Sequence, residues 1–175
     1  LGVPDGRPIC AAIGTGFERK GFDILLALWR DRAPRDSILV LVGDDERIGA
    51  FRRETERPPL AGRVIVTGPR VDVEGILAAA DVACVPSRQE AFGNVVLEAC
   101  AAGVPVVTSR WAGAAELLEE GCRVCCRLLR ANAETHREQA GDLLAAARSL
   151  GQARPDPRAR GIQPLGIGDP PDRYN

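Results

Sequence analysis

The stretch that most constrains this chain is Pro86 to Val107, reading PSRQEAFGNVVLEACAAGVPVV. An apolar run ends at Val85 and breaks at Pro86 into a polar loop. Helical spacing starts near Gly93-Asn94 and stops at Gly103 and Pro105, after which a second apolar run follows. The order is strand, loop, helix, strand. A loop that opens a helix presents unpaired backbone N–H groups, and the positive end of the helix dipole, to whatever lies above the strand end, so anions bind there. Gly93 permits close approach to the backbone, and Asn94 suits a helix cap. Two carboxylates bracket the site, Glu90 in the loop and Glu98 about a turn into the helix. Because the helix opens between them, they need not share a face and would touch different parts of one ligand. An arbitrary pair of this kind is usually one solvated and one helical surface charge; the motifs elsewhere in the chain argue against that plain reading.

The same grammar recurs upstream. Ile9 to Ile13 is a continuous apolar run, as expected for a strand buried on both faces of a parallel sheet, and Gly14-Thr15-Gly16 ends it. The loop delivers Arg19-Lys20-Gly21, then Phe22, Leu25, Leu26 and Trp29 repeat at helical spacing with Asp23 in the favourable first turn. Ser37 to Val42 and Arg63 to Thr67 read as strands, and residues 46–56 as a polar helix. Asp72 is placed to cap a helix running to Ala80, and Asp81 turns the chain into the strand Val82 to Val85. Val104 to Ser109 is the next strand, followed by Trp111 to Ala114 and a helix over residues 115–120. About five alternations predict an α/β fold, a doubly wound, mostly parallel sheet with helices on both faces. Ligands of such sheets bind at the carboxyl ends of strands, where Arg19, Lys20, Asp44, Arg70, residues 90–94 and Gly113 all fall.

Taken together, Glu90-Ala-Phe-Gly-Asn-Val-Val-Leu-Glu98, the loop Gly16 to Asp23, Val42-Gly43-Asp44 and Ala79-Ala80-Asp81-Val82 resemble four ordered motifs of the retaining family-4 glycosyltransferases of GT-B fold. The likeness covers residues 1–120, is closest to the lipopolysaccharide core glucosyltransferases, and corresponds to the Rossmann-like, nucleotide-sugar half of such an enzyme. It implies that Lys20, with Arg19 and the N–H groups of Gly93, Asn94 and Val95, neutralises a donor diphosphate. It also implies that Glu98 holds the ribose, that Glu90 holds hydroxyls of the transferred hexose, that Phe92 lines the donor site, and that Arg70-Val71 faces the base. Lys20 and Glu90 are thus the catalytic candidates, and Glu90→Gln would leave free nucleoside diphosphate affinity unchanged. The implied donor is a nucleoside-diphosphate sugar, UDP-linked in the first instance, used without a metal or other cofactor. The implied acceptor is a lipopolysaccharide, lipid or polysaccharide. Relatives carry a further Arg where this chain has Gly14-Thr15, so Arg19 has to substitute. The acceptor domain of such an enzyme precedes the segment corresponding to residue 1, in the same gene or on a separate chain. The competing expectations are a non-catalytic nucleotide-sugar-binding subunit, an inactive orphan fragment, and half of a sugar-nucleotide epimerase.

Charge supports a local phosphate site rather than a polyanion-binding surface. Residues 1–121 carry 14 basic and 18 acidic side chains, which excludes nucleic acid as the expected partner. Of the 23 basic residues 22 are Arg, so Lys20 is a compact ammonium kept in one Gly-rich loop. Cys10, Cys84 and Cys100 lie in apolar runs and read as small hydrophobes. Cys122 and Cys125 have the gap of a zinc half-site, but no second pair follows and His136 is the sole imidazole, so no metal site is expected. No apolar stretch approaches the roughly 18 residues that span a bilayer, and no leader pattern opens the chain. The expected compartment is the cytoplasm, with contact at the inner membrane face only through the acceptor domain.

Three segments are expected: a donor-binding domain over 1–121, an irregular or helical extension over 122–150, and a disordered tail over 151–175, where 9 of 25 residues are Gly or Pro. The change of character at Cys122-Arg-Val-Cys-Cys-Arg suggests a shift of coding frame near Gly121.

Overall fold

The computed structural model describes residues 2–4, 6–109 and 111–118, and the backbone of Arg127–Leu129. Six strands form one sheet: β1 (Ile9–Ile13), β2 (Ile38–Val42), β3 (Val64–Gly68), β4 (Val82–Val85), β5 (Val106–Ser109) and β6 (Arg127–Leu129). Every described pairing is parallel and the spatial order is β3-β2-β1-β4-β5-β6. Between the strands run α1 (Phe22–Asp31), α2 (Ile48–Thr55), α3 (Val73–Ala79) and α4 (Asn94–Ala101), and a 3-10 helix spans Gly113–Leu118.

The strand sequences are apolar throughout because both faces are covered, and alternate residues serve different layers. Cys10, Ala12, Leu39, Leu41, Val82 and Cys84 pack into one cluster with Phe22, Leu25, Leu26, Trp29 and Phe51, the buried sides of α1 and α2. Ala11, Ile38, Val40, Val42, Ala83 and Val85 pack into the other with Ile76, Leu77, Val96 and Ala99, from α3 and α4. The chain winds outward from β1 to β3, then α3 carries it back over the opposite face to lay β4 on the free side of β1. Right-handed crossovers allow no other placement of the two helix pairs. The loops after β1 and β4 consequently diverge to opposite faces and leave a crevice between them, the topological switch point of a doubly wound sheet.

The sheet does not end where the sequence pattern breaks. Arg127–Leu129 lies beyond Gly121 yet pairs with Val107, Thr108 and Ser109 as a parallel edge strand. Apart from that backbone, the extension at 122–150 and the tail at 151–175 lie outside the described residues, as do Cys122, Cys125, Cys126 and His136. Among the described residues no helix is long and apolar enough to cross a membrane. The free thiols Cys10 and Cys84 are buried. Their mutual contact, then burial, pushes the Cys10 thiol well above its ordinary range, which suits the apolar role assigned to both.

Candidate functional site at the switch point

Backbone packing brings the loops together before any functional side chain is considered. Gly14 donates its N–H to the Val42 carbonyl at 2.9 Å, and a Cβ on Gly43 would lie 1.9 Å from the Gly14 oxygen, so the ends of β1 and β2 are in direct backbone contact. Gly21, with φ 72°, precedes α1, and a Cβ there would meet the Pro86 oxygen at 2.3 Å. Only glycine satisfies both conditions. The Arg88 N–H donates to the Arg19 carbonyl at 2.9 Å. Glu90 and Ala112 form an isolated parallel bridge, and the Ala114 N–H donates to the Phe92 carbonyl at 2.7 Å, so the loop after β5 closes on the same place.

On this frame Lys20 and Glu90, 70 residues apart in sequence, form an ion pair whose side chains are only 11% and 13% exposed. The Lys20 stem lies across Gly14, where a Cβ would come 2.6 Å from Cε, and the Glu90 Cγ lies against Gly93. Arg19 donates to the Gln89 carbonyl at 3.2 Å and the Thr15 carbonyl at 3.1 Å, and so spans the crevice mouth. Gly93 is the residue ahead of α4, with φ 92°, and the helix begins at Asn94. Asn94 therefore does not act as the side-chain cap expected of it; the left-handed turn is made by glycine and no side chain caps the helix. Val96 N–H bonds the Gly93 carbonyl, and the amides before it precede any intrahelical acceptor. Glu98 is exposed and shares a stripe with Asn94 four residues earlier, while Phe92 is 41% exposed at the loop tip.

Arg70 and Val71, expected at the base, follow β3 and are both exposed, Val71 completely. Arg70 binds both carboxylate oxygens of Asp72, at 2.7 and 2.6 Å, which holds the Asp72 carboxyl below its usual range and raises the guanidinium. Asp72 precedes α3 but makes no side-chain cap bond: the charged partner two residues away has taken the carboxylate.

Sequence reasoning left two residues of this site without a role. Arg88 donates to both oxygens of Asp23, at 2.6 and 2.7 Å, and to the Glu18 carbonyl at 2.5 Å. The Asp23 carboxylate, first through its hydrogen bonds and then, with Glu18, through its charge, raises the guanidinium against the opposing effect of burial. The Asp45 carboxylate accepts from the N–H of Phe17 at 2.6 Å and of Arg47 at 2.7 Å, fixing the start of the Lys20 loop from the β2 side. The contacts of Arg88 with Asp23 and of Asp45 with Phe17 leave no local signal, because they join residues 65 and 28 apart. A groove of about 460 Å³ borders Thr15, Gly16, Asp44, Asp45 and Glu46. Glu18, Asp44, Asp45 and Glu46 on its wall outweigh the single cation Arg47 and suit it poorly to a phosphate. Among the described residues no group of three or more His, Cys, Asp or Glu side chains is arranged to hold a metal.

A parallel sheet of this strand order, with a cationic loop and a helix start meeting at its switch point, defines a doubly wound, Rossmann-like architecture. The chain belongs to the Glycosyl transferases group 1 family, whose sequence model matches residues 7–146 and so runs past Gly121. It is 35% identical over 121 residues to the lipopolysaccharide core biosynthesis glycosyltransferase LpsE of Rhizobium meliloti, covering 69% of this chain and 35% of that protein. It is 32% identical over 122 residues to the lipopolysaccharide glucosyltransferase WaaG of Escherichia coli, covering 68% and 32%. The crystal structure of WaaG superposes with a TM-score of 0.70 at 26% identity, over 86% of this chain and 42% of that one. Anabaena HepE in complex with UDP gives 0.62 at 25%, over 83% and 46%. The fold is that of these GT-B glycosyltransferases, and the chain spans about a third of the length of the curated relatives it matches.

Proposed function

We propose that this chain is the donor-binding half of a retaining glycosyltransferase that moves a hexose from a nucleoside-diphosphate sugar to a lipopolysaccharide, lipid or polysaccharide acceptor. The observation that carries the reading is the meeting of Lys20, Glu90 and the first amides of α4 at the switch point, with Arg19 across its mouth. When the bond from the sugar to the diphosphate breaks, negative charge grows on the leaving phosphate. The Lys20 ammonium, brought onto the diphosphate when the donor binds, and the helix start beside it stabilise that charge as it develops. In this reading that cationic frame serves where other transferases use a metal. Glu98, on the exposed stripe below Asn94, takes the ribose hydroxyls, and Glu90 takes hydroxyls of the sugar. Arg70 reaches the base only by leaving Asp72.

UDP is the first nucleotide to test, because HepE, at 25% identity, has been solved with it. The acceptor would be held by a second domain, since the relatives are about three times the matched length. That same fact favours a second reading in which this chain binds the donor and turns it over only with a partner. Calorimetric titration of the chain with UDP, GDP and ADP tests the proposal: one diphosphate binding at one site supports it, and no binding by any of the three overturns it.

A further inference from the structure

The Lys20–Glu90 pair has a consequence that neither side chain has alone. The Lys20 and Glu90 side chains are only 11% and 13% exposed. Each is backed by a glycine surface, Gly14 under Lys20 and Gly93 under Glu90, and the two loops are tied by the Arg88 N–H to the Arg19 carbonyl. The pair is therefore built into the frame rather than an accident of two long side chains meeting in solvent. The cation assigned to the diphosphate is already engaged by an anion of the same site.

Resting on the donor-site reading above, we infer that Glu90 is a specificity-determining residue that sets the donor apart from the spent nucleotide by competing with the diphosphate for Lys20. A diphosphate entering the crevice has to draw the ammonium from Glu90 and then leaves that carboxylate beside its own negative charge. When the diphosphate carries a hexose, the sugar hydroxyls donate to the displaced carboxylate and the exchange is even. A free nucleoside diphosphate offers no such donors, so Glu90 takes Lys20 back and the product is expelled. This reverses the expectation from sequence that Glu90 is indifferent to the free nucleotide: removing its charge strengthens product binding.

The test is titration of UDP and UDP-glucose into the parent chain, Glu90→Gln and Lys20→Ala. Glu90→Gln is expected to bind UDP about fivefold or more tightly than the parent, the scale of one ion pair released. UDP-glucose is expected to bind it more weakly, so that the parent's preference for the sugar-bearing ligand falls or inverts. UDP affinity that is equal or lower in folded Glu90→Gln, while Lys20→Ala loses it, overturns the competition and leaves the donor site standing. No UDP binding by the parent overturns the donor-site reading and this inference with it. Should Glu90→Gln fail to fold by circular dichroism, the parent supplies the answer, because Lys20 is the only lysine. Reductive methylation with labelled formaldehyde gives a single lysine side-chain NMR signal. A signal that shifts on saturation with UDP supports the exchange of partners, and an unmoved signal with UDP bound overturns it.

Discussion

Lys20 carries two burdens, and its substitution separates them. As a ligand for phosphate, its loss removes a charge-assisted hydrogen bond, so Lys20→Ala is expected to weaken UDP binding by about 1.5–3 kcal/mol in a titration. As the partner of Glu90, its loss strands a carboxylate that is 13% exposed, and chemical denaturation is expected to show about 1–3 kcal/mol of lost stability. The pair with Glu90 is what ties Lys20 to folding as well as to binding. Glu98 makes a contrast. It is exposed on α4, so Glu98→Gln should leave stability unchanged while weakening UDP and UDP-glucose to a similar degree, since both carry the ribose. A loss confined to UDP-glucose would remove the ribose role. Lys20, Glu90 and Glu98 could be singled out from sequence because the first two sit in loops between strand and helix signals and the third in the helix that follows. The Lys20–Glu90 contact was not legible: it depends on β4 lying next to β1, which local patterning does not encode.

At the scale of elements, strands and helices followed from apolar runs and their stops, with ends displaced by a residue or two. Two capping expectations failed for nameable reasons. Gly93 supplies the turn before α4 that Asn94 was expected to cap, and Arg70 takes the carboxylate that Asp72 was expected to give to α3. A third element-level feature had no sequence signal. Arg63, immediately before β3, is almost fully buried and donates to the carbonyls of Trp29 at 2.8 Å, Ala33 at 3.0 Å and Pro34 at 2.8 Å, tying the end of α1 to the sheet. Burial first, then Arg35 and Arg7, lower its guanidinium, yet it stays charged at neutral pH. Arg63→Ala leaves those carbonyls with one donor group fewer each, and a loss of about 2–4 kcal/mol is expected in denaturation with UDP contacts untouched. At the loop junction, Gly21→Ala forces a Cβ into the Pro86 oxygen at a positive φ, and a loss of about 1–3 kcal/mol should accompany it. Unlike Arg63→Ala, it should also weaken UDP, because Lys20 is the preceding residue.

For the whole molecule, the governing fact is that the chain reverses direction across the sheet once, between β1 and β4, and places both functional loops at that reversal. Alternation of strand and helix predicts a doubly wound sheet, but composition alone does not say which strand pairs lie side by side; crossover handedness does. The edge strand at Arg127–Leu129 was missed because a three-residue strand among Arg and Cys carries no periodicity to detect. Ligand linkage acts on the entire fold: a hundredfold excess of UDP over its Kd is expected to add about 2.7 kcal/mol to unfolding free energy and raise Tm.

The central claim is positional, so the most direct measurement is a crystal structure of this chain with UDP. The account predicts the diphosphate in the crevice between the ends of β1 and β4, with Lys20 Nζ turned from Glu90 onto a phosphate oxygen, the Asn94 and Val95 amides facing the phosphate, and the ribose beside Glu98. A diphosphate bound elsewhere, or bound with the Lys20–Glu90 pair still closed, would contradict it.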